Sequence, residues 1–128
     1  MELYSEIILD YYKHPVNKEK IEDATTSAVE LNPLCGDKVE FFIKSNEKGE
    51  VIKTSYQGDG CAISQAATSM LTEHLEGKTL KEISEIDNQE IYDMLGVEIS
   101  PARVKCALLG LVAAKKAVLL HKHKINEG

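Results

Sequence analysis

The chain has 128 residues, a length expected to form one compact domain, residues 1–128, with no room for a second. Its 43% apolar and 28% charged residues fit a globular protein with a real core and argue against a disordered or collagenous chain. Fifteen lysines and arginines against twenty-one aspartates and glutamates leave a formal charge of −6, a field that repels nucleic acid and anionic membrane alike.

Near the amino terminus the longest apolar stretch is Ile7, Ile8 and Leu9, with no basic segment before it and far short of the roughly 18 residues of a membrane span. A cytoplasmic protein is expected. Tyr4, Ile7, Ile8 and Tyr11 recur at helical spacing until His14-Pro15, which predicts a helix over Glu2 to Lys13. The period then changes. Val39 to Ser45 and Val51 to Gln57 are rich in β-branched and aromatic residues, joined by a hairpin loop, Asn46-Glu47-Lys48-Gly49, with a third short strand around Ser27 to Leu31.

From Cys61 the pattern is helical again, with Ile63, Ala67, Met70, Leu71 and His74 on one face and a stop at Gly77. Leu80 to Ile86 and Gln89 to Leu95 read as short helices. Ser100 and Pro101 then form a cap and first-turn pair for a last helix reaching about Lys122, with His121 to Gly128 as a loose polar tail. The order predicts an α+β fold: a three-stranded antiparallel sheet with an N-terminal helix and C-terminal helices packed against it.

Cys35, Cys61 and Cys106 are an odd number of thiols, so a disulfide framework is not expected and each is either packing or chemistry. Cys35 lies in Asn32-Pro33-Leu34-Cys35-Gly36-Asp37, an irregular loop. Gly36 permits a bend that brings Cys35 and Asp37 to one side, where thiolate and carboxylate can reach one metal ion; the competing reading is a buried loop cysteine beside a solvated aspartate. Cys61 follows Gly58-Asp59-Gly60 and opens a helix, where backbone N–H groups favour a thiolate and the glycines leave room for a ligand. At 100° per residue it falls with Gln65, Thr68 and Thr72 on a polar stripe, away from Ile63, Ala67 and Met70. Cys106 is flanked by the cations Arg103 and Lys105, which favour thiolate, yet it shares a stripe with Leu109, Gly110, Ala113, Ala117 and Leu120 that looks like a buried face. The opposite stripe, Val104, Leu108, Leu111 and Val118, is apolar but carries Lys115 and Lys122, as a partner-facing side would. The thiols are 26 and 45 positions apart with no C-x-x-C pair; with Asp37 they supply four donors suited to tetrahedral zinc or an iron-sulfur cluster.

These segments resemble the iron-sulfur cluster assembly scaffold family of the IscU, SufU and NifU amino-terminal type. Tyr4 to Pro15 is similar to its opening helix, Asn32 to Asp37, Gly58 to Ser64 and Pro101 to Cys106 to its three cysteine motifs, so the likeness spans nearly the whole chain. The resemblance implies that Cys35, Cys61 and Cys106 hold a nascent 2Fe-2S cluster or accept sulfur, with Asp37 as ligand or as the group that tunes release. Gly36, Gly60, Arg103 and Lys105 would shape the site. It also implies a cysteine desulfurase as sulfur donor, an iron donor, apo iron-sulfur acceptor proteins and a monomer or weak homodimer, in a scaffold rather than a turnover enzyme.

Two features depart from the IscU type. Lys105 stands where that type has histidine before the third cysteine, and Ile99 to Lys105 has a single proline where that type presents Leu-Pro-Pro-Val-Lys to a chaperone. Arg103 and Lys105 look like the SufU type, which binds zinc and relays persulfide sulfur, but the usual insertion between the second and third cysteines is missing. Zn²⁺ is therefore the alternative occupant of the same ligands, and a zinc-dependent sulfur acceptor the alternative function. A structural zinc domain is a third reading. His74 falls on its helix's core stripe, and His121 and His123 lie in the charged tail, which leaves His14, beside Pro15, as the one histidine a helix end can swing toward the site.

Overall fold

A computed structural model describes residues 2–34 and 36–127, with side chains from residue 6 to residue 125. Helix α1 (Glu2–Lys13) leads into strands β1 (Thr26–Asn32), β2 (Asp37–Ser45) and β3 (Val51–Asp59). Helices α2 (Ala62–His74), α3 (Leu80–Ser84) and α4 (Asn88–Leu95) follow, and a 3₁₀ turn at Pro101–Arg103 feeds α5 (Val104–Glu127). The strands form one antiparallel sheet in the order β1-β2-β3, so the α+β expectation holds.

Each strand is longer than its apolar pattern, because the sheet is extended by polar residues at the end nearest the cysteines. Asn32 pairs with Asp37 across β1 and β2, and Lys38 with Asp59 across β2 and β3. At the other end Asn46 Oδ1 accepts the N–H groups of Lys48 and Glu50, both at 2.9 Å, and closes the predicted hairpin loop.

One face of the sheet carries Val39, Phe41, Ile43 and Tyr56, all fully buried, and α5 lies against β1 and β2 through Cys106, Leu109, Ala113 and Ala117. The stripe expected to be buried on α5 is so except at Leu120, which is exposed, while Leu111 and Val118 from the supposed partner-facing stripe are buried. A 24-residue helix surrounded on more than one side buries more than a single stripe.

Three further expectations are corrected. The polar stripe of α2, set away from the core stripe by angle, is buried with it: Gln65, Thr68 and Thr72 are as buried as Ala67 and Met70, because α2 is enclosed by α1, α5 and β3. Its hydroxyls satisfy themselves on nearby carbonyls, Thr68 Oγ1 on Ser64 O at 2.7 Å and Thr72 Oγ1 on Ser69 O at 2.6 Å. His74 is exposed at the last turn of α2, where its Nε2 lies 3.0 Å from Glu90 Oε2 of α4. The basic tail continues α5 to Glu127, as expected physically for lysines near a helix C-terminus.

Helices α2 and α5 come close at Gly110, where a Cβ would lie 2.4 Å from Thr68 Oγ1 and 3.0 Å from Thr68 Cβ. Gly110→Ala should therefore destabilise the protein by about 1–3 kcal/mol despite alanine's better helix propensity. Urea unfolding checks this, and Thr68→Ala in the same chain should recover part of the loss.

Candidate metal centre

The centre forms where three chain segments begin. Asp37 opens β2 and is 2% exposed, a position a carboxylate occupies only with donors around it. Two come from Cys61: the backbone N–H donates to Asp37 Oδ1 at 3.0 Å, and the thiol to Oδ2 at 3.6 Å. Cys61 is the N-cap of α2, its sulfur accepting the Ser64 N–H at 3.5 Å, while Ser64 Oγ donates to Cys61 O at 3.1 Å. The third segment is α5, whose first turns carry Cys106 into the buried layer, 3% exposed.

One ligand atom from each of Asp37, Cys61 and Cys106 lies within 4.8 Å of the other two. Cys35, the remaining expected ligand, lies outside the described residues. Its flanks are in place: Gly36 adopts φ +73°, the bend expected of it, and donates its N–H to Asn32 O at 2.8 Å. Gly60 acts by its missing side chain. A Cβ there would stand 2.7 Å from Asp37 Oδ1 and from Ser64 Oγ, so only glycine lets the carboxylate reach the Cys61 amide.

Asn32, Leu34, Cys61, Pro101, Ala102, Arg103, Lys105 and Cys106 line an open cleft of about 460 Å³ over the centre. The exposed Arg103 and Lys105 thus sit at its mouth. Among the described residues no histidine joins the group. His14 is exposed, and the residues around it bind the far half of α2, with Val16 N–H on Ser69 Oγ at 2.7 Å and Tyr11 on Glu73 at 2.7 Å. Burial raises the pKa of the Tyr56 phenol above its ordinary value, and its hydroxyl donates to Gln65 O at 3.4 Å.

Asn32 was not singled out from sequence as a site residue, yet its side chain reaches Cys106: its Nδ2 lies 3.8 Å from Cys106 Sγ. An Asn-Pro pair signals a turn, and nothing local signals a contact 74 positions away.

Two soft thiols and a hard carboxylate converging from separate elements on a small α+β framework form a group that could hold a metal ion. The comparisons with known proteins narrow the class. The NifU-like N-terminal domain matches residues 3–127. The zinc-dependent sulfurtransferase SufU of Bacillus subtilis is 34% identical, over 91% of this chain and 89% of the relative. The iron-sulfur cluster assembly scaffold protein IscU of Azotobacter vinelandii is also 34% identical, over 94% and 95%. A solved structure of a scaffold protein for the SUF system from Fervidobacterium islandicum superposes with a TM-score of 0.77 at 29% identity, over 91% of this chain and 97% of the other. The chain belongs to the NifU-like N-terminal domain family. The resemblance read from the three cysteine motifs is therefore correct.

Two substitutions test the geometry. Asp37→Ala leaves the Cys61 N–H without its acceptor and should cost about 1–3 kcal/mol in urea unfolding. Gly60→Ala keeps every donor but displaces the carboxylate; cobalt(II) titration followed by absorbance should show affinity reduced about 10–100-fold. Equal affinity for the Gly60→Ala and parent proteins would remove Asp37 from the ligand set.

Proposed function

We propose that this chain is an iron-sulfur cluster assembly scaffold, on which a 2Fe-2S cluster is built as cargo by Cys35, Asp37, Cys61 and Cys106 and then passed to apo-proteins. The observation that carries the proposal is the convergence of Asp37, Cys61 and Cys106 within 4.8 Å under an open cleft. Scaffold relatives that align over nearly the whole chain support it. A structural site is closed on all sides; this one opens to solvent on the side where Arg103 and Lys105 stand, as loading and unloading require.

The donor for sulfur is a cysteine desulfurase. A thiolate of the centre attacks the outer sulfur of the donor's persulfide; one S–S bond forms, the donor's S–S bond breaks, and the donor cysteine leaves as thiolate. Reducing two such sulfurs to sulfide takes four electrons, of which two ferrous ions going to ferric supply two. Two more come from an external one-electron reductant, and the iron from an iron donor. The protein turns over no substrate of its own and works as one domain, a monomer or weak homodimer, in the cytoplasm. No helix among the described residues is long and apolar enough to cross a membrane.

A second reading is zinc-dependent sulfur transfer. It is favoured by Lys105, which a charged ammonium makes a poor metal ligand where the IscU type has histidine, and by the sulfurtransferase relative. The donor set fits zinc by its chemistry, thiols with one carboxylate, and Asp37, Cys61 and Cys106 would hold the ion together with Cys35. Zinc, when bound, keeps thiolates deprotonated. Asp37 would then be the ligand that yields, because its carboxylate already has the Cys61 amide as a second partner.

Anaerobic incubation with a cysteine desulfurase, cysteine and ferrous iron separates the readings. The scaffold predicts iron and acid-labile sulfide near stoichiometric with protein and visible charge-transfer absorption, all lost on Ser substitution of Cys35, Cys61 or Cys106. Asp37→Ala should lengthen the cluster's lifetime or slow its transfer. Tightly held zinc, accepted sulfur and no cluster would establish the relay instead.

A further inference from the structure

We propose that Asn32 is the positioning residue of the centre, its side-chain amide donating to Cys106 Sγ and aiming that sulfur at Asp37 and Cys61. The inference rests on the reading of Cys106 as a ligand and adds a residue that neither function assigns. The orientation of the amide follows from the other end of the side chain. Leu34 N–H, which can only donate, lies 3.2 Å from the Asn32 oxygen, so the atom facing the sulfur is the NH₂ group. Asn32 is 7% exposed, and a buried amide must satisfy both ends; this one does so between a turn and a thiol.

The same residue fixes the entry to β2. Its carbonyl accepts the Gly36 N–H at 2.8 Å, and its backbone pairs with Asp37 in the sheet register. Asn32 therefore touches the turn that precedes Asp37 and the sulfur on α5 at once, so the two sides of the centre cannot shift independently. Partners of this kind behind a ligand orient it and raise affinity for the metal.

Two measurements test the proposal. In metal-free ¹⁵N-labelled protein, the side-chain amide pair of Asn32 should shift when Cys106→Ala removes the sulfur; an unmoved pair means the bond does not exist and overturns the proposal whether or not metal binds. In the second, Asn32→Ser keeps a short oxygen acceptor for the Leu34 N–H but has no donor that reaches the sulfur. Cobalt(II) affinity should fall about 10–100-fold and the sulfur-to-cobalt band should move, while the metal-free urea midpoint stays near that of the parent. Asn32→Leu, which loses the turn acceptor as well, should lower the midpoint too. Affinity and band position unchanged in Asn32→Ser would overturn the positioning role. Absence of any sulfur-to-cobalt band in the unsubstituted protein would instead defeat the ligand reading, with the amide resonances still deciding the bond itself.

Discussion

The bond from the Cys61 amide to the Asp37 carboxylate holds the centre together. It joins the first residue of β2 to the residue that caps α2, segments 24 positions apart, and turns a strand end and a helix start into one rigid corner. The carboxylate can be buried there because the helix start offers it an N–H and a thiol, and it can fit there because residue 60 has no side chain. Helix α5 completes the arrangement by lying across the sheet and against α2, with Gly110 letting the two helices close on each other. That packing brings Cys106 to the corner.

The polar interior of α2 serves the same end. Ser64, Gln65, Thr68, Ser69 and Thr72 are all buried, a composition that wastes hydrophobic stabilisation in an ordinary core helix. Here the hydroxyls back-bond along the helix or tie it to neighbours: Ser69 Oγ donates to Val16 O at 3.0 Å, and Thr72 Oγ1 accepts from Asn17 Nδ2 at 3.0 Å. Directional bonds fix the rotation of α2 about its own axis more tightly than apolar contact alone. That rotation decides where the Cys61 sulfur points.

Most of this architecture is legible in the sequence. Helical and alternating periods locate α1, the three strands and the later helices, and the glycine and proline signals locate the turns between them. Cys61 is recognisable as a helix start from Gly58-Asp59-Gly60, and the structure shows it capping α2. Angular position alone misleads where burial comes from several sides. Thr68 and Thr72 were placed on a polar stripe away from the core and His74 on the core stripe, both by angle, but distance to a neighbouring element decides both. Asn32 was invisible for another reason: its side chain looks like turn chemistry, and its second bond depends on a helix 74 positions later.

The donors' spread along the chain has a thermodynamic consequence. Asp37, Cys61 and Cys106 are 24 and 45 positions apart, so an ion held by all three acts as a cross-link that closes two long loops of the polypeptide. No such arrangement exists in the unfolded chain, where the donors are far apart and independent. Occupancy therefore feeds directly into folding stability by mass action, about 2.7 kcal/mol at a free ion concentration one hundred times the dissociation constant. Were such an ion to leave, that stabilisation would leave with it, and the chain without it would be the easier of the two to unfold.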